Sequence, residues 1–226
     1  MNRPGAFAEL IAIPERNLID LPDGIDPVAA ALTEPAATAL HALDLGVRTL
    51  ARALDEARVL VIGAGAVGLL CALLARARGA RRIMVGETNS LRRATAARAG
   101  AGDVFDPRAA PAPPDSAFDL VLDAVGGAAT RALALRAVRP GGTIVHIGLM
   151  DSAGESDFRK LTLQEITLVG TYTYTPVDLR AAAAALAAGA LGALDWVERR
   201  PLGDGAAAFS DLDAGRTAAA KIVLLP

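Results

Sequence analysis

Cysteine is almost absent from these 226 residues; Cys71 is the only one. A disulfide framework is therefore excluded, as is any metal site built from several thiolates. A single cysteine fits a reducing cytoplasm. Aromatic residues make up only 4% of the chain. Lysine is restricted to Lys160 and Lys221, with arginine carrying the rest of the positive charge. An excess of either sign is missing too: 23 basic against 25 acidic side chains leaves a net charge of -2. That balance provides no electrostatic footprint for nucleic acid or for an anionic membrane. The opening MNRPGAFAEL lacks the apolar core of a secretory leader. One uncharged, mostly apolar stretch, 59–75, lies between Arg58 and Arg76. Gly63, Gly65 and Gly68 crowd its first half, so it reads as a strand, a tight turn and a buried helix, not as a membrane span.

Apolar residues are plentiful. They form 53% of the chain, and the mean hydropathy of +0.37 excludes a disordered polymer. The length suits one large domain or one and a half small ones. The segment 6–13, AFAELIAI, reads as a strand. Asp26 before Pro27 is a helix start, with a capping carboxylate ahead of a proline at the first helical position. That helix runs through Leu32, Pro35 interrupts it, and a second helical run covers 37–53. From residue 58 the pattern turns regular. Apolar strands are predicted at 58–62, 82–86, 103–105, 118–123, 142–147 and 166–172, with helices at 66–78, 90–99, 127–138 and 176–188. Such alternation predicts parallel pairing with helices on both faces. Six strands in two halves is the count of the doubly wound dinucleotide fold. The proline-rich 106–117 reads as the loop joining the halves. A strand near 195–201, a short helix near 204–213 and a last strand, KIVLL, complete the reading.

The hexapeptide GAGAVG, from Gly63 to Gly68, has glycines at the first, third and sixth places, directly after the apolar run VLVI and at the opening of a helix. This context gives the spacing its meaning. Gly63 permits the tight turn, Gly65 lets a pyrophosphate approach the backbone, and Gly68 allows the helix to pack closely on the strand. The amides of Ala66 and Val67, near the helix start, are free to donate to a phosphate. The second strand ends at Glu87, whose carboxylate suits both hydroxyls of an adenosine ribose and repels a 2′-phosphate. NAD is thus the preferred cofactor. Gly86 leaves some space, and Arg92 and Arg93 lie one turn on, so NADP stands as the second reading.

Taken together, EPAATALHAL, VLVIGAGAVGLLCALLARARGA, FDLVLDAVGG, RPGGTIVHIGL and the closing AAAKIVLLP resemble, in order and spacing, the medium-chain, zinc-dependent alcohol and polyol (sorbitol-type) dehydrogenases. The opening AFAELIAIPERNLIDLPDGI resembles the end of that family's GroES-like catalytic domain. The resemblance implies an α/β fold with a doubly wound, parallel six-stranded Rossmann sheet and a remnant of the catalytic domain. It divides the chain into a remnant and linker at 1–40, the dinucleotide-binding domain at 41–175, and a C-terminal helix with return strands at 176–226. It also implies roles for individual residues. Arg92 would lie beside the adenosine, Ala124 and Val125 would border the cofactor, and Ile147, Gly148 and Leu149 would offer backbone groups to the nicotinamide amide. Thr38 would lie at the nicotinamide end, and Lys221 would reach the pyrophosphate. Glu34, in its Glu-Pro pair, would stand at the catalytic zinc as a ligand or bonded to its water; a helix-end acid is the competing reading.

This chain departs from the family pattern as well. The family's upstream cysteine and histidine zinc ligands have no counterpart here, and the four-cysteine structural lobe is missing. His41 and His146 read as structural histidines, and Cys71 as an inert core residue. The expectation is therefore a fragment, a mis-annotated start or one half of a split enzyme. The expected function is hydride transfer between a secondary alcohol or polyol and NAD, with zinc in the complete enzyme. A dinucleotide-binding module without its own catalysis and a zinc-free NADPH quinone reductase relative are the alternatives. A cytoplasmic protein is expected, pairing with a second copy along the edge strand near 166–172, with no nucleic-acid or membrane partner.

Overall fold

In the computed structural model residues 5–226 are described; the first four residues of the expected 1–40 segment lie outside them. The strongest departure from expectation comes first. Residues 6–13 form no strand: the stretch is irregular and exposed, with Leu10 91% accessible. A strand is stable only against a partner, and among the described residues no strand is paired with this stretch. Phe7 instead sets its ring edge-on against Phe209, 5.5 Å away.

The Asp26 carboxylate accepts from the Ala29 amide and caps α1, Pro27–Ala30. The next helix, α2, covers Thr33–Val47, so it starts before Pro35 and ends well short of residue 53. Pro35 lies in the first turn, where a missing N–H costs nothing, and therefore does not break the helix. The Thr49 hydroxyl donates to the Gly46 carbonyl at 2.8 Å just past its end. Gly46 packs against Leu120 and Val145 with no room for a Cβ.

The elements that follow are β1 Arg58–Ile62, α3 Ala66–Ala77, β2 Arg82–Gly86, α4 Ser90–Arg98, β3 Asp103–Phe105, β4 Phe118–Asp123, α5 Ala128–Ala137, β5 Val138–His146, α6 Phe158–Leu163, β6 Thr167–Gly170 and α7 Pro176–Ala187. The six strands pair in parallel in the order β3-β2-β1-β4-β5-β6. This is the doubly wound order, with the switch between β1 and β4. The apolar runs of β1 and β4 are buried throughout their inner positions, as expected for strands covered on both faces. One core cluster joins α2, α3, β1, β2, β4 and Trp196; a second joins α5 to Leu60, Ile62, Val121 and Ile144 on the other face.

Strand β5 begins at Val138, earlier than the expected residue 142, and carries a register shift where Phe118 pairs with Val138 and Leu120 with Thr143. The run RPGG, 139–142, falls within this irregularity. Beyond α7, the strands β7 Val197–Pro201 and β8 Lys221–Leu225 form a separate parallel pair around α8, Gly205–Asp213. Within the described residues no helix is long and apolar enough to cross a membrane; the stretch 59–75 divides between β1 and α3.

Candidate functional site: the carboxyl edge of the sheet

At the end of β1 the chain turns through Gly63, whose φ of +93° is a left-handed conformation that costs glycine nothing. A Cβ at Gly63 would meet the Val125 side chain, and one at Gly68 would collide with the Gly63 carbonyl. Gly65 is different: no atom lies within 4 Å of the place its Cβ would occupy. Gly63 and Gly68 thus meet close neighbours, and Gly65 between them faces open space. Gly65 is also the N-cap of α3, and no side chain caps that helix. The first-turn amides, those of Ala66 and Val67 among them, point outward with the positive end of the helix dipole. Such a helix start is shaped to receive an anion.

Glu87 follows β2 and is 6% exposed, so it is not a solvated strand-end acid. One carboxylate oxygen accepts from the Ala64 amide and the other from the Asn89 amide, each at 2.8 Å. The carboxylate is thereby fixed against the glycine turn, with lone pairs remaining for further donors. Arg92 Nε lies 3.8 Å from Glu87 Oε2 and is buried without a hydrogen-bond partner. The space expected at Gly86 is taken: the Phe105 ring lies 2.9 Å from where a Cβ would be.

The ends of β4 and β5 form the other half of the edge. Asp123 is fully buried. Its Oδ1 accepts from the amides of Val125 and Gly126 at 3.0 and 2.9 Å, and its Oδ2 accepts from the Thr130 hydroxyl at 3.0 Å. Its carbonyl accepts from the amides of Ile147 and Gly148 at 2.9 and 3.0 Å. Those two amides are thus committed, which leaves the carbonyls of Ile147 and Gly148 as the groups they can offer a ligand. Gly126 and Gly148 approach so closely that a Cβ on either would strike the other segment's backbone. Ala124 lies under Gly68 and Val125 under Gly63, and Leu149 is exposed beyond them.

Helix α2 runs against the strand direction: Gly46 near its end touches Leu120 low on β4, so its first two turns, with Glu34 and Thr38, stand toward the carboxyl edge. Glu34 is exposed there, and the Thr38 hydroxyl donates to its carbonyl at 3.4 Å. Burial pushes the Tyr174 phenol upward, and the Glu34 charge adds to the shift, so this tyrosine stands near Glu34. Among the described residues no three His, Cys, Asp or Glu side chains cluster to hold a metal ion.

His41 Nδ1 is 3.0 Å from Asp178 Oδ2, tying α2 to α7. His146 lines a cavity of about 250 Å³ with Asp123, Arg131, Ser156 and Leu161, away from the glycine turn, and its buried Nε2 has no partner. Burial pushes the Cys71 thiol up to about 12, which makes it inert. Lys221 opens β8 opposite Val197 and makes no hydrogen bond or ion pair with the glycine turn. The sequence reading overlooked Ala64, which anchors the acid, and Asp123, which organises two turns. The latter had a signal, an acid closing the apolar run LVL ahead of a glycine pair.

Residues 66–188, just over half of the chain, match the family model described as zinc-binding dehydrogenase. L-galactonate-5-dehydrogenase of Escherichia coli K12 is 34% identical over 185 residues, which is 79% of this chain and 52% of that enzyme. The NADP-bound structure titled a zinc-binding dehydrogenase, from Sinorhizobium meliloti 1021, is 28% identical at a TM-score of 0.79, over 92% of this chain and 63% of that one. Acetophenone reductase of Geotrichum candidum in complex with NAD is 25% identical at a TM-score of 0.80, over 91% of this chain and 58% of that one. The chain spans about half the length of the curated relatives it matches. The matched segment begins at the first residue of the uncapped helix α3 and runs to the end of α7, and by it the chain belongs to the zinc-binding dehydrogenase family.

Proposed function

We propose that this chain is the nicotinamide-dinucleotide-binding part of an oxidoreductase that moves hydride between a secondary alcohol or polyol and NAD. The observation that carries this reading is the open cradle at Gly65, in front of an uncapped helix start and beside an acid fixed to the same turn. The residues present fit the cofactor. Gly63, Gly65, Ala66, Val67 and Gly68 would hold its pyrophosphate, and Glu87 would take the adenosine ribose with Arg92 alongside. Ala124, Val125, Ile147, Gly148, Leu149 and Thr38 would border its nicotinamide half, whose ring supplies the hydride chemistry. Lys221 as a pyrophosphate contact rests on family resemblance alone.

Zinc does not fit in the same way. Glu34 provides one ligand, whereas catalytic zinc takes three from protein, and no cluster among the described residues supplies the others. The chain by itself is therefore expected to bind the dinucleotide without turning over alcohols, and no catalytic step is assigned to its residues. In this proposal 1–40 is the catalytic-domain remnant, 41–175 the cofactor domain and 176–226 the return element. The protein works in the cytoplasm on a small-molecule alcohol, pairs with a second copy along β6, and has no nucleic-acid or membrane partner.

The test is calorimetric titration of the 226-residue chain with NADH and NADPH. NADH is expected to bind more tightly, and Glu87→Ala to narrow the difference. Tighter NADPH binding by the unmodified chain would overturn the cofactor preference, and binding of neither would overturn the reading itself.

A further inference from the structure

Glu87 is surrounded by more positive charge than a ribose-binding acid needs. Arg92 Nε is 3.8 Å from its carboxylate. Arg93 Nη1 donates to the carbonyls of Glu87 and Thr88 at 2.8 and 2.7 Å. Arg108 Nη2 donates to the Thr88 carbonyl at 2.5 Å. Three guanidinium groups, from two different segments, thus converge on the two residues that follow β2. Their counterweight is Asp106: its Oδ2 is 3.1 Å from Arg93 Nη1, and its Oδ1 accepts from Arg108 Nε at 3.2 Å.

The fold delivers this acid to the site. The Glu87 amide donates to the Phe105 carbonyl at 3.0 Å, Gly86 pairs with Phe105, and the Phe105 ring fills the space above Gly86. The residue after Phe105 must therefore emerge beside Glu87.

Resting on the dinucleotide reading above, we infer that Asp106 is a second determinant of cofactor choice: by occupying Arg93 and Arg108 it withholds them from a 2′-phosphate on the adenosine ribose. Glu87 repels that phosphate directly. Asp106 acts one layer out, on the two cations that would otherwise attract it. The Arg108 guanidinium holds the Asp106 carboxyl below its usual range, so the acid is ionised at neutral pH. With Asp106 in place, three arginines face two carboxylates; with it neutralised, they face only Glu87. An arginine near this ribose is the usual means of accepting a 2′-phosphate. Here such arginines are present and already paired.

The experiment compares the unmodified chain, Asp106→Asn and the double variant Asp106→Asn/Arg108→Gln. Each is titrated with NADH, NADPH, 5′-AMP and adenosine 2′,5′-bisphosphate, the last two isolating the 2′-phosphate from the nicotinamide. Asp106→Asn is expected to raise affinity for the two 2′-phosphorylated probes by about tenfold relative to their unphosphorylated partners, the order of one nearby charge under partial screening. That gain should shrink at high salt and disappear in the double variant. Arg108→Gln alone, at an exposed side chain, covers the case in which Asp106→Asn fails to fold; it should weaken binding of the bisphosphate further relative to 5′-AMP. An unchanged ratio in Asp106→Asn, or in Arg108→Gln where that is the folded variant, would overturn the assignment. Failure of the unmodified chain to bind NADH or 5′-AMP would instead overturn the dinucleotide reading on which it rests.

Discussion

At the scale of single residues, glycines of one motif are expected to separate binding from stability. Gly65 has open space where a side chain would go, whereas Gly68 has the Gly63 carbonyl. Gly65→Val should fill the cradle and weaken NADH binding by more than tenfold while leaving the urea midpoint close to that of the parent. Gly68→Ala should lower stability by about 1–3 kcal/mol through overpacking. Paired titrations and urea curves check both, and equal effects of the two changes on binding and midpoint would contradict this division. These roles are legible in the sequence because spacing alone fixes where each glycine falls in a strand-turn-helix. The Ala64–Glu87 bond and the Asp106 bridge are not legible. They join segments that meet only once parallel strands have paired, and no local pattern encodes that meeting.

At the scale of elements, a buried carboxylate ties neighbouring strands together. Asp119 lies at the foot of β4 and is 1% exposed. It accepts from the Arg58 amide at 2.8 Å and from Arg139 Nε at 2.5 Å, with Arg52 Nε at 3.1 Å. Burial alone would raise its carboxyl, but the Arg58 amide and the Arg139 guanidinium outweigh burial and hold it below the usual range. A depressed carboxyl stabilises the fold above its unfolded value, near 3.9, and loses that contribution as pH falls through the folded value. Asp119→Asn should therefore cost about 2 kcal/mol at pH 7, less than a fully buried pair because Arg52 is 45% exposed. The difference from the parent should narrow as pH falls below the unfolded value. Urea unfolding at pH 7 and pH 3 measures it, and a gap as large at pH 3 as at pH 7 would refute the linkage. The elements themselves were largely foreseeable: each core strand is a short apolar run ending at a loop with glycine, proline or acid. The exceptions had physical causes. Residues 6–13 have a strand-like composition but pair with no strand among the described residues, and Pro35 lies in the first turn, where helices tolerate proline. The helix α6 buries no residue, so no periodicity announced it.

At the scale of the whole molecule, two apolar regions face solvent. One is the amino-terminal stretch with Phe7, Leu10, Ile11 and Ile13; the other comprises Phe158 and Leu163 on α6, Leu168 on β6 and Tyr172 just after it. Strand β6 closes the sheet on one side, and among the described residues no strand pairs with its outer side. An exposed edge beside apolar side chains favours association. Light scattering should show dimers or larger species whose fraction rises with concentration. Leu168→Lys, at a side chain 46% exposed on that edge, should shift the distribution toward monomer while NADH affinity holds. A monodisperse monomer at high concentration for the unmodified chain would refute this.

The strand order also sets a timetable during synthesis. The central neighbours β1 and β4 are far apart in the chain, Phe118 following Ile62 by about 56 residues. At about 5–20 residues per second, a ribosome needs roughly 3–11 s to cover that interval. Once β2 has emerged, β1 can pair with it but presents its other side bare until β4 arrives. The glycine turn is translated early, yet Val125 and Ala124, which form its floor, arrive only with the second half of the sheet. A nascent chain therefore carries the recognisable motif for several seconds before there is a surface on which a nucleotide could rest.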